Sequence, residues 1–516
     1  MSSTNEPFAL VTDWGTRPEI IVTNRPLRTK SAEALDALYQ ANDPPVIFRR
    51  GDLLTRVELN RDGSGRVVPL SEDHIRGHLT RVANFYRVIK RGEDERQYHV
   101  TPPRDIVRDI LTAEGLAFPH LSGIISSPVM RPDGSVLASP GYDIDTSLFY
   151  LPPPGFSLPV IPAQPTQLEV AAAVNQLTDV FADFPYFDDA SRANALGSLL
   201  TPVVRPMIRG STPLGLYDAP DAGTGKGLHV EVVSIIATGG TAAVTTVPRS
   251  EEEMRKRITS MLIGGQSVVL FDNIEGLLQS PSLAAAITAP VWQDRLLGHN
   301  RQVTLESRVT WLATGNNIRL GGDLARRCYS IRLDARTPQP WRRTGFRYPD
   351  LVGYVRQRRA QLVAALLTLV RAWVAAGRPR SSVSLGSFQE WVDVVGGVLD
   401  LVGIKGFLGN LDRMYEQSDV ETPQWSAFLV AWRGWFADRA VTASAVIDAM
   451  NGPEPGQTLL REVVPDEVSG VRPEQRTRAL GTALAHRVDR RYGPLGLRIV
   501  RVGTEHRAVR WKAIEG

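Results

Sequence analysis

The middle of this chain alternates short, uniformly apolar runs with longer amphipathic stretches. The apolar runs predict strands over 213–219, Ser267–Phe271 and Val309–Ala313. Helical periodicity surrounds them, over Gln167–Phe184, Ala190–Ile208, Glu251–Leu262 and Ser280–Thr288. Strands that are apolar on both faces and alternate with helices predict an α/β fold with a parallel sheet covered on both sides.

Before residue 166 the pattern is mixed. Short strand-like runs combine with helical patterns at Glu72–Val88 and Pro103–Glu114, and the turn sequence NRDGSGR at Asn60–Arg66 predicts a hairpin. The proline-rich stretch that ends near Pro165 favours extended backbone. Residues 1–165 are therefore predicted to form an α+β domain followed by a linker.

After the third apolar strand the pattern becomes helical. Residues 348–440 are predicted to form a helical domain. Residues 441–516 begin with helical patterns at Ala443–Met450 and Pro473–Arg491 and end in two alternating basic runs. Helices followed by a basic hairpin predict a winged-helix-like domain that binds duplex DNA, with Arg498 and Arg507 as candidate contacts. A solvated edge hairpin without a ligand is the alternative.

Composition narrows the class of protein. The chain has 516 residues, of which 43% are hydrophobic and 22% charged, as in soluble proteins with true cores. A net charge of +4 permits nucleic acid as a partner without requiring it. The single cysteine, Cys328, excludes an intrachain disulfide framework and a cysteine-based zinc site. No secretion signal is visible, and Arg371 interrupts the longest apolar stretch, so we expect a cytoplasmic protein with no membrane partner.

The first apolar strand runs into a glycine-rich turn, PDAGTGKG, and a helical pattern follows. Glycines let backbone N–H groups surround an anion, a helix N-terminus adds a positive dipole, and a lysine reaches the outer phosphates. The order predicts a phosphate-binding P-loop around Lys226. Its predicted nucleotide-binding residues are Pro220, Asp221, Ala222, Gly223, Thr224, Gly225, Lys226, Gly227 and Leu228.

Two residues depart from the P-loop pattern G-x-x-x-x-G-K-[ST]. Ala219 stands where the first glycine is expected, and Gly227 stands where a hydroxyl would ligate Mg²⁺. Nucleotide binding is still expected, whereas the rate of hydrolysis depends on how the metal is held without that hydroxyl.

Polar residues follow the second and third apolar strands. Asp272 ends the run SVVLFD and is predicted to hold Mg²⁺, while Glu275 is predicted to orient the attacking water. An ordinary acidic loop after a core strand is the alternative. Asn316, in TGNN, is predicted to contact the γ-phosphate or that water, because ligands bind at the carboxyl ends of such strands. A turn-forming asparagine pair would have the same sequence.

Two adjacent arginines follow, in GGDLARRC. Arg326 and Arg327 are candidates for an arginine finger that reaches the nucleotide of a neighbouring subunit. One of the two can instead form a structural salt bridge.

Together, APDAGTGKG, VVLFDNIE, ATGNN and DLARR resemble the Walker A, Walker B, sensor 1 and arginine-finger motifs of an AAA+ ATPase. More narrowly, the chain resembles the superfamily 3 helicases of phages, plasmids and viruses, and the helicase part of phage primase-helicases. The resemblance assigns 166–347 to a P-loop AAA+ ATPase domain with ATP and Mg²⁺ as cofactors. It implies a ring, a hexamer, with single-stranded DNA in the pore and a primase or another replication protein as a further partner.

In superfamily 3 helicases a hairpin before sensor 1 grips DNA inside the ring. By that resemblance His299 and Arg301, in LLGHNRQ, are candidate contacts to single-stranded DNA, and an ordinary surface hairpin is the alternative. The leading functional hypothesis is an ATP-driven DNA helicase or replication initiator of a mobile genetic element. The alternative, motivated by Gly227, is a nucleotide-gated DNA-binding or remodelling protein with little unwinding.

Overall fold

The computed structural model of this chain describes residues 17–61, 63–295, 302–418 and 421–516. The chain divides into two compact units, one that extends to Leu411 and one that comprises Asp412–Gly516. All of the predicted nucleotide-binding residues lie in the first unit.

The N-terminal part of the first unit packs three helices against short strands. The helices are α1 (Leu27–Gln40), α2 (Glu72–Val82) and α3 (Arg104–Thr112). The strands are β1 (Glu19–Ile21), β2 (Phe48–Arg50), β3 (Leu53–Leu59), β4 (Gly65–Pro69), β5 (Asn84–Arg91) and β6 (Asp94–Val100). They form two sheets, in the orders β1-β5-β6 and β2-β3-β4. Leu59 pairs with Gly65, which confirms the hairpin predicted at Asn60–Arg66.

A segment of short strands connects this part to the rest of the unit. It contains β7 (Gly123–Ile125), β8 (Val129–Met130), β9 (Val136–Leu137), β10 (Gly141–Asp143) and β11 (Leu148–Tyr150). The sheet order is β10-β11-β7, and β8 pairs with β9. From residue 151 to residue 166 the backbone is neither helix nor strand, as its prolines lead one to expect.

A five-stranded parallel sheet forms the core of the unit. Its strands are β12 (Leu214–Ala219), β13 (Ala243–Thr245), β14 (Val268–Leu278), β17 (Thr310–Leu320) and β18 (Cys328–Arg332), in the order β13-β14-β17-β12-β18. The predicted parallel sheet is confirmed, and every residue of β12 is buried. The associated helices are α4 (Gln167–Val180), α5 (Asp189–Val204), α6 (Lys226–Thr238), α7 (Glu251–Ile263) and α8 (Pro281–Thr288).

Two of the core strands run further than their apolar runs indicated. We predicted that β14 would end at Phe271 and β17 at Ala313, but their pairing continues from Ile274 opposite Gly315 to Leu278 opposite Leu320. From Ile274 in β14 and Asn316 in β17 onward, more buried positions alternate with more exposed ones, whereas residues 268–271 and 309–313 are buried throughout. A uniformly apolar run therefore marked only the part of each strand that is covered on both faces.

The remaining elements of the first unit are an antiparallel pair and a helical region. The pair is β15 (Val291–Arg295) with β16 (Gln302–Glu306). The helical region contains α9 (Leu351–Ala375), α10 (Gln389–Trp391) and α11 (Gly397–Leu401), and α10 and α11 are joined by a π-helical turn at Val392–Gly396. No helix among the described residues is long and apolar enough to span a membrane.

The second unit combines short helices with an antiparallel sheet. The helices are α12 (Leu411–Ser418), α13 (Glu421–Phe436), α14 (Ala443–Met450), α15 (Pro455–Glu462), α16 (Asp466–Ser469) and α17 (Arg476–Ala485). The strands β19 (Val441–Thr442), β20 (Arg491–Tyr492), β21 (Leu497–Glu505) and β22 (Ala508–Ile514) have the order β19-β22-β21-β20. Pairing of β21 with β22 confirms the predicted C-terminal hairpin, while the winged-helix assignment stays a prediction.

Candidate functional site

The P-loop sequence forms a turn between the carboxyl end of β12 and the N-terminus of α6. Gly223 and Gly225 have φ values of 77° and 99°, in the left-handed region that favours glycine, and α6 begins at Lys226. The predicted nucleotide-binding residues 220–228 therefore occupy this turn and the first residues of the helix. Backbone N–H groups at a helix N-terminus are the kind of site that binds a phosphate.

The side chain of Lys226 connects the P-loop to the neighbouring strand. Its Nζ donates to Asn316 Oδ1 at 2.7 Å, and also to the Asp221 carbonyl oxygen and to Thr224 Oγ1, each at 3.2 Å. Burial lowers the pKa of Lys226, and three nearby aspartates, Asp218, Asp221 and Asp272, oppose that shift. The two residues predicted to meet the outer phosphates, Lys226 and Asn316, are thus brought together by the sheet.

A bulge in β14 places Asp272 beside this pair. Phe271 pairs with Ala313 and Ile274 with Gly315, so Asp272 and Asn273 both stand opposite the single residue Thr314. The Thr314 hydroxyl donates to Asp272 Oδ1 and accepts from the Asn273 N–H at 3.1 Å. Thr314 therefore fixes the carboxylate predicted to hold the metal, a contact that the sequence analysis missed.

The donor set can be tested against Mg²⁺. Among the described residues no group of three or more His, Cys, Asp and Glu side chains is positioned to hold a metal. Mg²⁺ nevertheless keeps several waters and commonly binds through one or two carboxylates together with substrate phosphates. The half-buried Asp272 suits that mode. Exposed Glu275 stands opposite Asn316 in the strand register, on the extended part of β14.

A second polar cluster, which the sequence analysis also missed, ties the P-loop to β17 and β18. Asp218 accepts from the Ile318 N–H at 3.0 Å and forms an ion pair with Arg332. Arg332 also donates to Asn317 Oδ1 at 3.3 Å, and Asn317 Nδ2 donates to the Pro220 carbonyl at 3.2 Å. Burial raises the pKa of Asp218, although the Ile318 N–H and Arg332 oppose the shift. The only sequence signal was the charged residue Asp218 inside the predicted apolar strand 213–219.

Aromatic side chains lie against the P-loop glycines. A Cβ added at Gly223 would lie 3.0 Å from the Cβ of Trp341, and one added at Gly225 would lie 3.3 Å from Phe184. Trp341 is 62% exposed. Phe184 also lines a cavity of about 1270 Å³, together with residues 403–405 and most of residues 178–189. Phe184 therefore lies beside both the glycine turn and this cavity.

The two candidate finger arginines differ in their surroundings. Both pair with Asp323. The side chain of Arg327 is 17% exposed and also donates to the Ala284 carbonyl and the Thr288 hydroxyl at the end of α8. The side chain of Arg326 is 70% exposed. The geometry of Arg327 fits the structural alternative, which leaves Arg326 as the candidate that can reach a second molecule.

The candidate DNA contacts are distributed over both units. His299 and Arg301 lie outside the described residues, but the strands before and after them pair from Val291 with Glu306 to Arg295 with Gln302, as a hairpin requires. In the second unit Arg507 is exposed at the tip of the β21–β22 hairpin. Arg498 instead pairs with Asp489 at 2.8 Å.

Fold and site together define an α/β protein with a P-loop-like core. No protein-family model and no curated protein matches the chain. Among solved structures, the chain is similar to the apo C-terminal region of NrS-1, with 10% identity and a TM-score of 0.37 over 90% of this chain and 96% of that one. It is similar to SCCmec type IV Cch, described as an active helicase, with 11% identity and a TM-score of 0.31 over 90% of each chain.

A third similar structure is JCV helicase bound to a thiazolopyridine-containing acetamide. The identity is 11% and the TM-score 0.21, over 51% of this chain and 71% of that one. Two of these three structures are described as helicases. With TM-scores below 0.5, the function has to be inferred from the residues of the site.

Proposed function

We propose that this chain is an ATP-dependent DNA helicase or replication initiator of a mobile genetic element, of the phage or plasmid type, that translocates on single-stranded DNA as a hexameric ring. The observation that carries the proposal is the 2.7 Å bond from Lys226 Nζ to Asn316 Oδ1, with Asp272 close to both. These residues come from three chain segments and meet at the level of the carboxyl end of β12, where ligands bind in such sheets and beside which β14 and β17 continue.

Each residue at that edge has a role that its position supports. Lys226 supplies positive charge to the outer phosphates, and nucleotide would replace Asn316 and the Asp221 carbonyl as its partner. Asn316 then contacts the γ-phosphate or the attacking water, which Glu275 orients. Asp272, fixed by Thr314, would hold Mg²⁺, which neutralises charge on the transferring phosphoryl group.

The proposed ring places Arg326 at the nucleotide of the neighbouring subunit. The exposure of Arg326 supports this role, because an arginine that acts in trans must extend from the surface of its own subunit. The paired arms of the β15–β16 hairpin support DNA contact through His299 and Arg301 in the pore. In the second unit, exposed Arg507 supports contact with duplex DNA.

The test is ATP turnover by the full chain, with and without single-stranded DNA. Turnover that DNA stimulates is expected, together with unwinding of a tailed duplex. Lys226→Ala should lose at least about two orders of magnitude in turnover, because a charge that stabilises the transferring phosphoryl group is removed. The matched control is Lys256→Ala, which removes an exposed lysine paired with Glu252 on α7. Turnover that Lys226→Ala leaves unchanged would overturn the proposal.

One observation favours a second candidate function. Gly227 supplies no hydroxyl to a metal, so a nucleotide-gated DNA-binding or remodelling protein with little hydrolysis is the alternative. Tight nucleotide binding with negligible turnover, with and without DNA, would select it. DNA binding that depends on nucleotide would then be expected without strand separation.

A further inference from the structure

A small cavity lies at the opposite end of the core sheet from the P-loop. It has a volume of about 50 Å³ and is lined by residues that include Arg50, Arg205, Arg308 and Thr310. Thr310 is the first residue of β17, and Arg205 directly follows α5. The P-loop follows the carboxyl end of β12, whereas the cavity lies at the amino ends of the core strands. The 6 residues of β12, at roughly 3.3 Å per residue, therefore separate the two places by about 20 Å. The cavity is therefore distinct from the proposed nucleotide site.

Two of these arginines are buried without a carboxylate partner. Arg50 and Arg205 are each less than a tenth exposed, and within the described ranges neither forms an ion pair with a carboxylate. Their hydrogen bonds go to the backbone carbonyl oxygens of Leu121, Ser122 and Leu262 for Arg50, and of Ile208 and Ser307 for Arg205. A carbonyl satisfies an N–H group but does not neutralise a charge, and buried charges are normally paired.

Two acids, Glu306 and Glu390, lie near these arginines, but among the described residues neither acid forms an ion pair with Arg50 or Arg205. Glu306 accepts from Arg308 at 3.2 Å and from the Ser122 hydroxyl at 2.9 Å. It therefore balances the half-exposed Arg308. Burial lowers the pKa of Arg50 to about 10, and Glu306 opposes that shift. Burial, followed by Arg308, lowers the pKa of Arg205 to about 9, and Glu390 and Glu306 oppose that shift. The described residues that line the cavity include these three arginines and no acid.

Two polar atoms of the cavity's lining residues are also without partners. Arg205 Nε and Thr310 Oγ1 are buried and have no hydrogen bond to any described residue. A guanidinium N–H donates only, and a hydroxyl can donate. A buried donor left without an acceptor costs free energy, so these two donors favour an acceptor bound in the cavity that their residues line.

We propose that this cavity binds a small tetrahedral oxyanion of the phosphate class. Its oxygens would accept from Arg205 Nε and Thr310 Oγ1, and its charge would balance Arg50 and Arg205. A site of about 50 Å³ exceeds what one water needs, about 10–15 Å³, yet is far below the roughly 300 Å³ or more of a nucleotide-sized pocket. Because Arg50 is on β2 and Thr310 on β17, the anion joins the N-terminal sheet to the core sheet.

The test is equilibrium dialysis of the full chain against radiolabelled inorganic phosphate. Every protein carries Lys226→Ala, so that binding at the P-loop is weakened and the result does not depend on the proposed function. One phosphate per chain is expected. Thr310→Val should weaken binding about tenfold, because one hydrogen bond to a charged ligand is lost. Arg205→Met should abolish binding.

Two features keep the result decisive. Thr310→Val loses no protein hydrogen bond, so its Tm in phosphate-free buffer should equal that of the parent. Phosphate binding by this variant therefore tests the proposal even where Arg205→Met does not fold. Ser234→Ala is the matched control, since its hydroxyl is also buried and unpartnered but its residue does not line the cavity. Absence of bound phosphate, or equal binding by Thr310→Val and Ser234→Ala, would overturn the proposal, since water would then fill the cavity.

Discussion

Acidification should destabilise this protein through one histidine under the P-loop. His229 lies in the first turn of α6, is fully buried, and stacks on Phe181 with ring centroids 4.5 Å apart. Its Nε2 is 2.6 Å from the Tyr186 hydroxyl. Burial lowers the pKa of His229 from 6.5 to about 3. The imidazole is therefore neutral in the folded chain across the physiological range.

The sign and size of the effect follow from proton linkage. Between pH 6.5 and pH 3 the unfolded chain binds a proton at His229 and the folded chain does not. The contribution is fully present above the unfolded pKa and is lost as pH falls towards the folded one. Each unit below 6.5 removes about 1.4 kcal/mol, so about 1.4 kcal/mol should be lost near pH 5.5 relative to neutral pH.

The assay is urea unfolding of the full chain at several pH values between about 8 and 5.5, where this linkage acts. His229→Phe keeps a ring to stack on Phe181 but cannot titrate. Between neutral pH and pH 5.5, the decrease in its free energy of unfolding should therefore be about 1.4 kcal/mol smaller than the decrease in the parent. The loss of the Tyr186 partner adds an offset that does not vary with pH. His99→Gln, which removes an exposed imidazole, is the control and should follow the parent. A parent and a His229→Phe variant with the same pH dependence would refute the reasoning.

Three further predictions concern the proposed nucleotide site, and a fourth concerns the stability of the fold. Gly227→Ser should raise ATP turnover and lower the Mg²⁺ concentration that turnover requires, because the hydroxyl adds a metal ligand and a Cβ at this position meets nothing within 4 Å. The control, Gly227→Ala, improves only helix propensity and should change neither quantity. Trp341→Phe should reduce the change in intrinsic fluorescence on nucleotide addition, and a change equal to that of the parent would remove Trp341 from the site. Arg326→Ala should keep nucleotide binding and recover turnover when mixed with Lys226→Ala, and no recovery would contradict a role in trans. Arg327→Ala should instead lower the free energy of unfolding by about 1–3 kcal/mol, because it breaks contacts to α8.

The sequence predicted three of the five core strands, β12, β14 and β17, for a simple reason. A strand covered on both faces must be apolar along its covered length, and parallel strands place their carboxyl ends on one edge. Lys226 was predicted from the glycine-rich turn after the first strand, and Asp272 and Asn316 from the polar residues after the next two. The sheet brings Lys226 and Asn316 into contact with Asp272 nearby. Local pattern and sheet geometry were sufficient to predict that these residues lie close together.

The contacts that hold the site in place could not be predicted in the same way. The Asp218–Arg332 pair joins residues far apart in the chain, and its partners depend on the strand order β17-β12-β18. The bulge opposite Thr314 depends on a positive φ at Asn273, of 54°. A Cβ at Gly315 would lie 2.2 Å from the Ile274 carbonyl, so the glycine of TGNN serves strand packing and not only a turn. Such requirements arise only after the strands have been paired.

The contacts around Lys226 and Asp272 also bear on how a metal could be held without the P-loop hydroxyl that Gly227 lacks. Thr224 does not replace it, because Thr224 Oγ1 is buried and accepts from Lys226 Nζ at 3.2 Å. Asp272 is then the carboxylate that we propose as the protein ligand of the metal. A single ligand holds a cation in a defined place only if the ligand itself is fixed, and the Thr314 hydroxyl, set by the bulge, supplies that restraint. The proposed metal site therefore depends on the geometry of β14 and β17, whereas most P-loops depend on a hydroxyl in the first turn of the following helix.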